Sequence, residues 1–93
     1  MADWEFAQRD AAEQLARVEH FSFTKKHSGG DVEVLITVHE YITPKDPAMK
    51  FVARADKEFN QKGGGFQPCG WGTSLLQALS ACLELMRKFP YEG

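Results

Sequence analysis

This 93-residue sequence predicts an α+β domain: a helix, three to four antiparallel strands and a C-terminal helix, with the helices packed on one face of the sheet. Three observations carry that prediction. Apolar residues recur every three or four positions at both ends of the chain, as on helical faces. Between them the period drops to two, most clearly at Val32, Val34, Ile36 and Val38. The final third runs from Gly63-Gly64-Gly65-Phe66 through Gly70-Trp71-Gly72-Thr73-Ser74 into a helix that is apolar on nearly every side. Residues 1–93 make one domain, long enough for a single core.

The first helix is expected from about Asp3 to Glu19. Asp3 is placed to cap it, and Trp4, Ala7, Ala11, Leu15 and Val18 share one face. Glu5 with Arg9, and Glu13 with Arg17, stand in acid-before-base order, each pair contributing roughly a few tenths of a kcal/mol. Phe21 and Phe23 then alternate with Ser22 and Thr24 in a strand ending at Lys25-Lys26-His27, and Ser28-Gly29-Gly30-Asp31 signals a turn. In the second strand the four apolar β-branched residues face one way, while Glu33, Leu35, Thr37, His39 and Tyr41 take the wetter face.

Thr43-Pro44-Lys45-Asp46-Pro47 breaks the ladder because each proline lacks a donor. Met49, Phe51, Ala53 and Ala55 mark one face of a third strand. Asn60 to Gly65 reads as a flexible connection, and Phe66 to Cys69 as a short edge strand or an extended lead into the helix. Thr73 or Ser74 caps that helix, and Phe89-Pro90 ends it, since a residue before proline is pushed out of the helical region. Its polar stripe is Gln77, Ser80, Glu84, Arg87 and Lys88. The rest is apolar, so the helix needs a neighbour besides the sheet, either the N-terminal helix or another subunit.

The formal charge of −2 excludes a general nucleic-acid coat, which needs a basic excess. The stretch Trp4-Glu5-Phe6-Ala7-Gln8-Arg9-Asp10 is acidic and amphipathic, so no secretory leader is expected. No apolar run reaches membrane-spanning length. Cys69 and Cys82 lack metal or redox spacing and read as reduced thiols, which makes the cytoplasm the expected location.

A phosphate-binding loop would need a lysine after its last glycine, but Gly72 is followed by Thr73-Ser74-Leu75. His20, His27 and His39 are scattered, none at ligand spacing, so neither a metal nor a cofactor is expected. Cys69 stands just before a helix N-terminus, a setting that can lower a thiol pKa, yet no residue is identified as its base. No catalytic residue is assigned, and the chain reads as non-enzymatic. Basic residues fall into three groups with acids interspersed: Lys25-Lys26-His27, Arg54 with Lys57 and Lys62, and Arg87-Lys88. Trp71 either closes the core under the helix start or is an exposed anchor.

Two resemblances follow from these motifs. The helix, three strands and helix, with Gly70-Trp71-Gly72-Thr73-Ser74-Leu75-Leu76-Gln77-Ala78-Leu79, resemble the double-stranded-RNA-binding domain, which enters its last helix through Gly-x-Gly-x-Ser-Lys-Lys-x-Ala-Lys. The glycines, serine and alanine are in register, while Leu75, Leu76 and Leu79 replace the three phosphate-contacting lysines. The resemblance therefore implies topology more than RNA binding. Val34-Leu35-Ile36-Thr37-Val38, Lys50-Phe51-Val52-Ala53-Arg54-Ala55 and Gly72-Thr73-Ser74-Leu75-Leu76-Gln77-Ala78-Leu79 look like the HicB-type antitoxin domain, over about two thirds of the chain. This second resemblance implies a partner-binding or self-associating role.

The expected function is a small protein-contact domain, a homodimer or the companion of a small protein. Its expected contact surface draws on Lys25, Lys26, His39, Arg54, Trp71, Gly72, Leu79 and Leu83. The alternative is an RNA- or nucleotide-binding domain using a local basic patch and the glycine-rich loop.

Overall fold

A computed structural model describes residues 3–10, 12–27 and 29–91. Ala11 of the expected first helix and Ser28 of the expected turn lie outside the described residues, as do the side chains of Asp3 and His27. The fold is α+β. Four antiparallel strands follow one another in space as in sequence: β1 (Ala16–His27), β2 (Gly30–Tyr41), β3 (Phe51–Ala55) and β4 (Cys69–Gly72). A one-turn helix, α1 (Gln61–Gly64), precedes β4. The long helix α2 (Leu75–Lys88) lies on one sheet face against β4 and β3 and also touches β2.

The N-terminal helix is a correction. Only Asp3–Ala7 is helical, as a 3-10 turn, and Ala16 to Glu19 belong to β1. Side chains that would sit idle on a helix instead hold the amides of a loop. Glu13 Oε1 accepts from the backbone N–H of Arg9 (3.1 Å) and Asp10 (3.3 Å), Asp10 Oδ1 from Ala12 (2.9 Å), and Gln8 Oε1 from Leu15 (2.8 Å). Such local bonds compete with helix formation. Arg17 meets Glu19 at 3.4 Å, two residues apart on one strand face, rather than Glu13. The long β2 ladder outweighs the helical period of the segment, because pairing supplies backbone bonds and burial together.

β1 and β2 pair without a bulge over twelve positions, from Ala16↔Tyr41 to His27↔Gly30. Gly30 takes φ +122 at the turn, a conformation that favours glycine. Val32, Val34, Ile36 and Val38 form the buried face of β2, as their alternation predicts, joined by Ala53 and Ala55 from β3. Proline-rich residues after Tyr41 end β2, and Asp46 caps a short 3-10 turn by accepting from Ala48 N (3.0 Å).

The last strand also differs from expectation. Phe66 makes only an isolated bridge to Phe59, and β4 begins three residues further on, at Cys69. The Gly-Trp-Gly triplet explains the shift. A Cβ on Gly70 would stand 2.5 Å from the Ala78 carbonyl oxygen and 2.5 Å from the Cys82 nitrogen. One on Gly72 would stand 2.6 Å from Gln77 Cγ. Gly70 therefore lets the α2 backbone lie directly on the sheet, and Gly72 leaves room for the Gln77 side chain. Strand alternation then turns Trp71 to the opposite face.

Ser74 is the N-cap of α2. Its Oγ accepts from Gln77 N (3.1 Å), while Gln77 Oε1 accepts from Thr73 N (2.8 Å), a reciprocal closure of two free amides. The helix ends at Phe89, as Pro90 requires. Ala78, Cys82 and Met86 are its buried residues. Beneath its C-terminal half sits Phe59, fully buried, with Tyr91 tilted against it at 5.6 Å and Phe66 edge-on to Phe89 at 5.2 Å. The expected flexible connection is thus partly built. Asn60 takes a left-handed φ of 57 and donates its N–H to the Pro90 carbonyl (2.7 Å).

Candidate functional site

Pairing register sorts every strand residue onto one of two faces. On the face away from α2, Val18, His39, Val52 and Trp71 form a lateral row across all four strands, and His20, Thr37, Arg54 and Cys69 form the next. Trp71 is 51% exposed, Leu35 47% and Val18 45%. His39 stacks on Tyr41 with ring centres 5.8 Å apart, and His20 Nδ1 lies 3.1 Å from Thr37 Oγ1. Two shallow depressions of about 470 and 430 Å³ share Tyr41, Val52 and Arg54 in their linings. Register places Lys26, Lys50 and Arg54 on this face with Asp31, Glu33 and Asp56, so it has no dominant sign of charge.

The expected contact residues divide between the two faces. His39, Arg54, Trp71 and Lys26 lie on the open face. Lys25 lies on the α2 face, where its Nζ donates to the Met86 carbonyl and stands over the Phe59 ring at 5.9 Å. It closes the helix C-terminus and packs the core. Gly72 is buried under Gln77, and Leu79 and Leu83 are half-buried against the core. The helix instead exposes Leu76, at 75%.

The local basic patch is therefore not assembled. Lys26 and Arg54 share a face but stand six residues apart along the strand direction, about 20 Å. Lys25 and Gly72 occupy the other face, separated by eight residues along β1, about 26 Å.

Cys82 is fully buried, its thiol reaching the Pro68 carbonyl at 3.5 Å. Burial pushes its pKa from 9.0 to about 11, helped by the nearby Cys69 and opposed by a backbone hydrogen bond at Ala55. Cys69 lies beside Arg54. Register puts His20 three strands away and His39 two, roughly 12–14 Å, beyond hydrogen-bond reach for a thiol–imidazole pair. Among the described residues no three His, Cys, Asp or Glu side chains gather as a metal site, and no helix is long and apolar enough to cross a membrane.

The other open feature is the outer edge of β1, which sequence reasoning missed because it assigned Ala16 to Glu19 to a helix. The alternation of Val18 and His20 with Glu19, Phe21 and Phe23 is the signal that extends this strand. β1 pairs only with β2 and contains no proline or bulge. Tyr41 N bonds Lys50 O, and Asp56 N bonds Leu35 O, so odd-numbered residues of β2 face β3. Even-numbered residues of β2 then bond β1, and the ladder turns the N–H and C=O of Val18, His20, Ser22, Thr24 and Lys26 outward.

Comparison of the chain with protein-family models, with curated proteins and with solved structures finds no match. Geometry alone defines the class: a four-stranded meander with one helix-covered face, one open face and a long free edge.

Proposed function

We propose that this chain is a non-enzymatic protein-contact module that acts by self-association. The observation that carries the reading is its unfinished surface. The accessible area is 6233 Å², against about 5,400 Å² for a compact monomer of this mass. The excess, about 800 Å², is close to what one partner contributes to a standard interface. The radius of gyration, 15.2 Å, likewise exceeds the value of about 12 Å for a chain of this length.

A second copy suits this surface better than a phosphate backbone does. Acids and bases are balanced on the open face, its central row is apolar and aromatic, and the candidate lysines are dispersed or engaged. A self-associating role is also what the resemblance to HicB-type antitoxins implies. Light scattering coupled to size-exclusion chromatography tests the proposal at several protein concentrations. A mass twice 10.5 kDa is the expected result, and a 10.5 kDa species at every concentration refutes it. Titration with a short RNA duplex at low salt tests the rival occupant. Tight, salt-sensitive binding by the monomer overturns the protein-contact reading.

A further inference from the structure

We infer that two copies join through β1 in antiparallel register centred on Ser22, forming one eight-stranded sheet. The inference rests on the self-association reading and names its contact. Long, flat edges template pairing with another chain, and proteins usually blunt them with prolines, bulges or charge. β1 lacks the first two, and its cations lie at its two ends, Arg17 at one and Lys25 and Lys26 at the other. Residues 18–24 carry a single charge, Glu19.

A two-fold axis perpendicular to the sheet pairs β1 residues of like parity, because partners in a ladder point to the same face. This leaves few registers, and their chemistry differs sharply. Centred on Phe21, Arg17 faces Lys25 of the second copy, like charge against like. Centred on Phe23, Phe21 faces Lys25 and His20 faces Lys26. Centred on Ser22, Glu19 faces Lys25 and Phe21 faces Phe23, each twice by symmetry, with His20 opposite Thr24. The outward N–H and C=O groups of Ser22 then meet their symmetry equivalents.

Two features of the single chain agree with this register. Phe21 and Phe23 are only half-buried and lie on the α2 face, at the edge remote from β3 and β4. Pairing across the axis gathers four phenylalanines there. Lys25 gives a hydrogen bond to Met86 O yet keeps two further donors for an opposing carboxylate.

The test is disulfide capture in a Cys69→Ser background, where the remaining native cysteine, Cys82, is fully buried. In this register the two Ser22 Cα atoms stand about 5.5 Å apart, within disulfide range. Ser22→Cys is expected to cross-link under mild oxidation, while Thr24→Cys and the helix variant Leu76→Cys do not. Glu19→Lys is expected to weaken the dimer about ten-fold or more, since symmetry doubles the lost pair. Its melting curve at a concentration where the wild type is monomeric reports any loss of fold separately. A dimer that cross-links through Thr24→Cys or Leu76→Cys but not Ser22→Cys overturns the register and leaves self-association standing. A monomer at all concentrations overturns both.

Discussion

Replacing Gly70 with alanine tests whether α2 lies directly on the sheet backbone. The new Cβ would fall 2.5 Å from Ala78 O, 2.5 Å from Cys82 N and 2.7 Å from Ala81 Cβ. Ordinary contact lies at about 3.5–4 Å, so the helix must retreat by roughly 1 Å. Two of those neighbours are backbone atoms, which cannot turn aside as a side chain can. Overpacking of this kind costs about 1–3 kcal/mol. Reduced freedom of the unfolded chain offsets about 0.4–1 kcal/mol. The expected net loss is about 1–2 kcal/mol, or roughly 5–10 °C in melting temperature for a domain of this size. Urea unfolding followed by circular dichroism, at one fixed protein concentration, measures it. Gly72→Ala supplies the comparison, because the nearest atoms to its Cβ are in the Gln77 side chain, where Cγ and Oε1 can swing away by giving up the bonds to Thr73 while Cβ, at 2.7 Å, cannot. If Gly70→Ala matches the wild type, the close approach of α2 is refuted.

Two further stability measurements follow from the core. Cys82 keeps its proton to about pH 11 in the fold but loses it near 9.0 when unfolded, so the unfolded state binds fewer protons between those values and stability falls as pH rises through that window. The expected loss is about 2–3 kcal/mol. Cys82→Ala should show a correspondingly shallower decline in urea midpoint from pH 9 to 11, and parallel declines would refute the assignment. Phe59→Ala removes the fully buried ring that Lys25 and Tyr91 cover, at an expected cost of about 3–5 kcal/mol. Collapsed amide dispersion in a proton–nitrogen NMR spectrum is the expected outcome, whereas a native spectrum with less than about 1 kcal/mol lost would displace Phe59 from the centre of the core.

The sequence alone determined the elements whose pattern agrees with their surroundings. Val32, Val34, Ile36 and Val38 could bury only one face, Thr73-Ser74 supplied a cap, and Pro90 stopped the last helix. Tertiary structure decided the end of the expected first helix, where a helical period in Trp4, Ala7, Leu15 and Val18 yielded, from Ala16 on, to twelve positions paired with β2. It also decided what the glycines near the last helix do, because the approach of two backbones depends on residues eight and twelve positions away in α2. Phe59 became the core's largest buried side chain through contacts with Lys25, Phe66 and Tyr91, which no local period announces. The same limit governs the candidate surface. Periodicity put His39 and Arg54 on a wet face, but only strand order set Trp71 beside Val52 on that face and left β1 at the edge, because lateral neighbours in a sheet are fixed by pairing rather than by sequence distance.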